Sequence, residues 1–458
     1  MTSSFDPAIA ALRARLGEKV SSSVSADWAE VAQPWNVAIT QHPVAVVAAS
    51  DVADLRAVLE VASDFGVGVT TQLTGHGANL SLEGSIVIRP AGFDLLEIDA
   101  RRKVARIGAG VRWGQVTAAL DGTGLVAAFG SNPSVGVVGY LLAGGVSLFS
   151  RATGLGVRAL RGVELLTADG QHRWVTDDDG MLMWALRGAG GSLGIVTAVE
   201  LDLYEALDIY GGKMIFALEE AGDVLDAVLA HGVDADPALN MSVTLAQLPS
   251  TDDVSDMLQG QRVVSLDAFG FDDEASHMRT LDAIRAAIPP IVDDALGHLA
   301  VSSIHKAINE PTRPSRAADF SRLTSVDRPM IDDLVDLFAS DDGQVVRTVQ
   351  VRLLGGVLTE PPTPDGIAGA IHDPHLVLAA GPDIAGDDRV RRSYDRLDEI
   401  VRCEGKPRTV ASFLSRGQTY RDAYDDAALE RWFAVRDQVN PDGIIHSNRD
   451  PQRPAATS

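Results

Sequence analysis

Cysteine is almost missing from this chain, since Cys403 is the only one in 458 residues. That excludes an intrachain disulfide, a CxxC redox pair and a cysteine-rich zinc site, and it fits a reducing, cytoplasmic setting. Lysine is scarce too, with Lys19, Lys103, Lys213, Lys306 and Lys406 the whole set, so arginine carries most of the positive charge. There are 39 Lys and Arg against 63 Asp and Glu, a net charge of −24. Such a balance repels phosphate backbones and argues against nucleic acid as a partner. Long apolar runs are absent as well. The longest, Val135 to Phe149, is 15 residues broken by four glycines, short of the ~20 that cross a membrane. It is expected inside the protein. The first residues show no apolar stretch behind a basic start, unlike a secretory signal.

What is present is 46% apolar residues and 43 glycines, in a chain long enough for two or three domains at about 150 residues each. The segment after Ser50 (DVADLRAVLEVASDFG) predicts a helix with Ser50 as its cap and Gly66 as its stop. The β-branched run from Val67 to Thr71, SIVIRP and KVARIGAGV predict strands, and Trp113 to Leu120 a second helix. Gly162 to Thr176 reads as a hairpin turning at Ala168-Asp169-Gly170, and Gly194 to Tyr204 as a strand. Beyond Tyr204 the texture shifts to longer amphipathic helices, near Glu219–His231, Glu274–Ile288 and Met330–Ser340. A strand is expected between Val345 and Gly356 and a last helix over Ala427–Val439. The closing PQRPAATS is expected to fray.

Several motifs fail on context. Gly190 to Gly194 matches G-x-S-x-G, but β-branched alternation follows Ser192 where a nucleophile elbow needs a helix. The glycines at 108–110 and 188–190 miss the dinucleotide fingerprint, and no phosphate-loop motif exists. His372 and His375 flank Asp373-Pro374, and Pro374 prevents the helix that would set both imidazoles on one face. No metal site is expected there. Asp177-Asp178-Asp179 lacks calcium-loop spacing. Two glycine-rich segments remain: Gln72 to Asn79, with glycines on either side of His76, and Gly130 to Gly145. Glycine-flanked amides form nests for anions, so two such loops could hold a long nucleotide cofactor through backbone donors alone.

These residues resemble a known family, the FAD-binding domain of the vanillyl-alcohol oxidase class (PCMH-type), and within it the bacterial branch of berberine-bridge-enzyme-like oxidoreductases. The similarity runs from Trp35-Asn36 and PVAVVAASDVADLRAVLEVA through TGHGAN, IGAGVRWGQVTAAL, PSVGVVGYLLAGG, SRATGLGVRALRGVELLTADG and MWALRGAGGSLGIVTAVELDL, with VNPDGIIHSN near the end. The resemblance implies an α+β fold. Residues 1–205 would be a two-subdomain FAD-binding domain, and residues 206–405 a substrate domain of antiparallel sheet with flanking helices. Residues 406–458 would return to the first domain.

The resemblance further implies that Leu73, Thr74, Gly75, His76, Gly77, Ala78 and Asn79 wrap the FAD pyrophosphate, with His76 bonding covalently to the flavin. The usual second attachment is a cysteine before P-x-V-G, and Ser131 or Asn132 stands there, so at most one link is expected. Gly110, Val135, Gly136, Gly139 and Tyr140 would line the flavin, Val137 would sit over its face and favour oxygen, and Ile195, Val196 and Asn448 would complete the site. The family's Tyr-x-Asn base is absent from VASFLSR (410–416). Arg352 would face the flavin, and Tyr140, His372 and Tyr420 are the candidates for proton removal. The expected activity is FAD-dependent oxidation of an alcohol-type carbon in a small sugar or secondary metabolite, with oxygen as electron acceptor. The alternatives are a degenerate flavin carrier and, last, a Ser192 hydrolase.

Overall fold

Apolar positions recur every three to four residues from Val52 to Phe65, and that segment is a helix. Its cap is Asp51, not Ser50: the Asp51 carboxylate accepts from the Asp54 amide at 2.9 Å, while the Ser50 amide and hydroxyl both donate to Asp54. Gly66, at φ 64°, ends it in the left-handed conformation that glycine adopts freely. The computed structural model describes residues 5–251, 255–288, 291–403 and 405–453. The tail from residue 454, expected to fray, lies outside them.

Among the described residues, three larger sheets and a two-stranded one, Leu125–Val126 with Tyr204–Glu205, organise the chain. The first has Ala45–Ala48, Ser85–Arg89 and Gly68–Thr71 in parallel, with Val20–Ser21 antiparallel at its edge. The helix Val52–Phe65 buries Leu55, Val58 and Val61 in the same core as Val47, Val69, Ile86 and Ile88. The second sheet is antiparallel, in the order Leu96–Asp99, Val104–Gly108, Ile195–Asp202, Leu160–Leu166 and His172–Thr176. Its last two strands are the predicted hairpin, turning through Gly170 at φ 81°. The run from Val135 to Phe149 is largely interior, as expected, with Val137, Leu141 and Phe149 in the core of this region.

The third sheet holds eight strands, all pairing antiparallel. Helices Ala221–Gly232, Glu274–Ala287, Arg328–Ala339 and Asp388–Ile400 pack on it and share its core. The alternation in Thr348–Leu353 decides which side they cover. Val349, Val351 and Leu353 are buried in that core, while Thr348, Gln350 and Arg352 point to the opposite face. That polar face carries the candidate site. The last helix, Asp426–Val439, packs against Met181–Ala189, with Trp432 and Phe433 fully buried in the core of the second sheet. Among the described residues, no helix is long and apolar enough to cross a membrane.

Candidate active site

The loop from Gln72 to Asn79 leaves the parallel strand Gly68–Thr71. It doubles back tightly: Gly75 has φ 79°, and a Cβ there would lie 2.7 Å from Pro34 Cβ and 2.9 Å from Pro34 Cα. The Trp35 amide donates to the Thr74 carbonyl at 2.8 Å, and the Trp35 ring stacks on His76 at 4.4 Å and 19°. From below, Arg89 donates to the carbonyls of Gln72 and Val31 at 2.8 and 2.9 Å. At the far end, the amides of Asn79 and Leu80 donate to the Asn448 side-chain oxygen at 3.3 and 3.4 Å. Yet the backbone N–H groups of Leu73, Thr74, Gly75, His76 and Gly77 donate to no other described residue. A run of free amides around a glycine turn is an anion cradle, and it fits the pyrophosphate of a dinucleotide. Asn448 therefore serves as the brace of this loop.

His76 is locked in one protonation state and one tautomer. Burial, with the nearby Arg112 cation adding to it, pulls its pKa down to about 3, so the ring is neutral. The Ser134 hydroxyl donates to Asn132 Oδ1 at 2.6 Å, so at its 3.1 Å contact it accepts from His76 Nε2–H. That leaves the Nδ1 lone pair facing the Thr74 hydroxyl at 2.8 Å. A neutral imidazole whose Nδ1 lone pair is held only by a hydroxyl hydrogen bond can act as a nucleophile once that bond is released. Asn132, one of the two residues at which the family resemblance places a cysteine, also donates to the Pro311 carbonyl at 2.8 Å.

The two glycine-rich segments touch, since a Cβ on Gly136 would meet Leu73 Cδ2 at 2.9 Å. Gly139 faces open space, whereas Gly110 is a packing glycine whose Cβ would collide with the carbonyls of Pro90 and Ala91 at 2.7 Å. Val135 is half-buried. Val137, expected over the flavin, is fully buried in the core. Ile195 and Val196 are buried strand residues that offer only backbone atoms. The Ser131 carbonyl accepts from His305 at 3.0 Å.

Of the four candidate catalytic side chains, the structure brings two together. Arg352 and Tyr140 influence each other electrostatically, burial drives the Tyr140 hydroxyl pKa far up, and that hydroxyl has no hydrogen-bond partner among the described residues. Arg352 lines a cleft of about 420 Å³ with Ser131, Asn240, Asp267, Glu310 and Gln350. A chain of hydrogen bonds holds it there: Arg352 donates to Gln350 Oε1 at 2.9 Å, Gln350 to the Thr244 hydroxyl at 3.1 Å, and Thr244 to Asp267 at 2.7 Å. Asn240 Nδ2 is buried without a partner.

His372 lines a different cavity, of about 620 Å³, with Gly144, Arg408 and Tyr424. Tyr420 is 3% exposed and packs against Tyr424 and Trp432. His372 stands on the loop before the third-sheet strand His375–Pro382 and Tyr420 in the C-terminal segment, and neither is among the residues that line the Arg352 cleft. The strand that follows Ser192 excludes the elbow, as expected: Ser192 is fully buried and its hydroxyl donates to Asp450 at 3.1 Å. Asn240, Thr244, Asp267, Glu310 and Gln350 escaped sequence reasoning. Only the alternation around Arg352 signalled a polar sheet face.

Residues 43–176 match a family described as an FAD binding domain. The chain is 29% identical over 242 residues to (R)-6-hydroxynicotine oxidase of Paenarthrobacter nicotinovorans, covering 48% of this chain and 53% of that protein. It is 33% identical over 181 residues to the FAD-dependent monooxygenase FUP4 of Fusarium proliferatum, covering 39% and 35%. The match thus spans about half of one curated relative and a third of the other. With fungal and bacterial relatives both present, the similarity does not single out a bacterial branch. Glucooligosaccharide oxidase from Acremonium strictum, with a 6-S-cysteinyl, 8α-N1-histidyl FAD, superposes with a TM-score of 0.78 at 17% identity, over 95% of this chain and 98% of that one. Residues 43–176 are therefore an FAD binding domain, set within the fold that the glucooligosaccharide oxidase also has.

Proposed function

We propose that the chain is an FAD-dependent oxidase that takes hydride from an alcohol-type carbon of a sugar or secondary metabolite, with oxygen as the final acceptor. The observation that carries this reading is the run of free amides from Leu73 to Gly77 beside a neutral His76. Residues 1–205 with the returning segment 406–458 would hold the cofactor, and residues 206–405 would supply the substrate side. When bound, FAD supplies a two-electron hydride acceptor. The protein's own part is positioning and charge. The amides hold the pyrophosphate, and His76 offers one covalent tether at Nδ1. Arg352, oriented by Gln350 and Thr244, stabilises negative charge on a substrate oxygen or on the reduced cofactor. Asn240 offers a free amide donor to a substrate hydroxyl.

The test is direct. The purified protein should be yellow and keep its colour in the pellet after acid precipitation, which reports the His76 tether. A panel of oligosaccharides, aryl alcohols and 6-hydroxynicotine should contain at least one compound that bleaches it anaerobically and restores colour on aeration. Colour with no bleaching by any member would favour a flavin carrier instead, and a colourless protein that takes up no FAD would overturn the reading.

A further inference from the structure

The C-terminal segment gives no proton acceptor: Val410 to Leu414 has neither Tyr nor Asn, and Tyr420 and His372 lie away from the cleft. One carboxylate faces the cleft unpaired. Glu310 lines it beside Arg352 and Ser131 and forms no ion pair or hydrogen bond with any described residue. The other carboxylate of the cleft, Asp267, is already engaged by Thr244, by Ser265 at 2.8 Å and by Lys213 at 3.6 Å.

Glu310 is not on a loose loop. It follows the short helix Ile304–Ile308, which ends at Asn309 with φ 60°, a left-handed turn that asparagine tolerates. Three contacts clamp the segment over the cofactor side. His305 Nδ1 donates to the Ser131 carbonyl at 3.0 Å, Asn132 Nδ2 to the Pro311 carbonyl at 2.8 Å, and Lys213 Nζ to the Ile308 carbonyl at 3.2 Å. Two of the anchors, Ser131 and Asn132, belong to the same turn as Ser134, which holds His76. The charged and titratable groups around Glu310 are the Arg352 cation, which feels its field first among charges, the His305 ring, and Asp267 of the same cleft, which is paired with Lys213; Tyr140 acts in turn on Arg352.

The geometry points to Glu310 as the proton acceptor of the oxidation, with Arg352 opposite it to hold the substrate oxygen; this rests on the function proposed above. The C–H bond breaks with its pair leaving as hydride for the flavin oxidant. The O–H pair becomes the second C–O bond, and the proton passes to the Glu310 carboxylate. The products are a carbonyl compound, a flavin reduced by two electrons and a neutral carboxyl group. Ser131 and Asn132 acquire a role in this arrangement, because at the place of a second flavin tether they position the proton acceptor instead.

The test compares wild type, Glu310→Gln and Glu310→Asp as FAD-loaded protein, using the compound that bleaches the flavin in the panel. Glu310→Gln should retain its flavin, reduce it about 100- to 10,000-fold more slowly, and lose the acid limb of the rate–pH profile, and Glu310→Asp should recover most of the rate. A readout without turnover is sulfite, a dianion that binds oxidised flavin. Removing the Glu310 charge should tighten it about tenfold, and Glu310→Asp should leave it near wild type. Wild-type reduction in Glu310→Gln overturns the assignment, whether or not sulfite affinity moves. So does a raised KM at unchanged kcat, which would make Glu310 a binding group. A flavoprotein that no panel member bleaches overturns the functional reading and this assignment together. Wild-type rates in Glu310→Gln overturn the assignment alone.

Discussion

The two halves of the candidate site use opposite means. The loop around His76 presents main-chain donors on a turn that only glycine fits, and its side chains are spent on holding the loop together. The sheet face around Arg352 presents side chains on regular strands, linked from Arg352 through Gln350 and Thr244 to Asp267. A main-chain site tolerates no change of backbone shape, whereas a side-chain site tolerates any residue that keeps the strand. The first should therefore break at its glycines and the second at its functional groups.

The largest effect is expected at Gly75. Valine there would put a Cβ against Pro34 at 2.7 Å in a conformation, φ 79°, that β-branched residues avoid. Gly75→Val should purify colourless and take up no FAD in a fluorescence-quenching titration. Arg352→Ala, on the other side, should bind oxidised FAD within about threefold of wild type, since a strand residue shapes no amide cradle. Equal loss of FAD in both variants would break the distinction.

Arg151 joins the two sides. It lies on Ser150–Thr153 at 2% exposure and donates to the carbonyls of Gly232, Val233, Ala235 and Leu239 at 3.0–3.3 Å, closing the end of the helix Ala221–Gly232. Arg151→Leu removes the donor shared by these four carbonyls, of which, among the described residues, only that of Gly232 keeps another, the Ala235 amide at 3.3 Å. It should cost about 3–5 kcal/mol, read as a lower thermal midpoint. The His76 loop is anchored elsewhere, so residual folded protein should still bind FAD.

Asp450 pins the returning C-terminal segment to the cofactor side, accepting from Ser447 N at 2.9 Å and Ser192 Oγ at 3.1 Å. Burial pushes its pKa up to about 6 from an ordinary 3.8. A raised carboxyl pKa gives stability that is complete below pH 4 and lost as pH rises through 6. Wild type should therefore lose about 1–3 kcal/mol relative to Asp450→Asn between pH 4 and pH 7, the lower end reflecting the solvent contact that the residue keeps. A constant difference between the two melting curves across that range would dismiss the buried carboxyl.

How much was legible follows from the same division. Gly75, His76 and Asn79 stand in one short segment, because a main-chain cradle is local and its glycine is required by φ. The hairpin through Gly170 was legible for the same reason. Glu310 was not, because nothing in its own sequence marks it. Its position depends on Asn132 and His305 reaching across 179 and 174 residues. Val137 shows the limit of such reading, since the same apolar residue type serves a cofactor face or a core, and only packing decides. Tyr420 and His372 have the right chemistry for a base, but the fold packs Tyr420 into the core and sets His372 in another cavity. Ser50 and Asp51 both cap helices, and the register of one residue went to Asp51.

Ser412 makes the smallest and most discriminating change. It stands in the segment where the family pattern would carry a base, and its hydroxyl is buried without a partner at the wall of the cavity that contains His372. A buried hydroxyl with nothing to bond loses its hydration on folding and gains nothing back. Ser412→Ala should therefore leave stability unchanged or raise it by up to about 1 kcal/mol, with flavin content and reduction rate at wild-type values. Proton removal assigned to the sheet side requires that indifference. A tenfold slower reduction in Ser412→Ala with an unchanged thermal midpoint would return the chemistry to the C-terminal segment, and Glu310 would then be a bystander in the cleft.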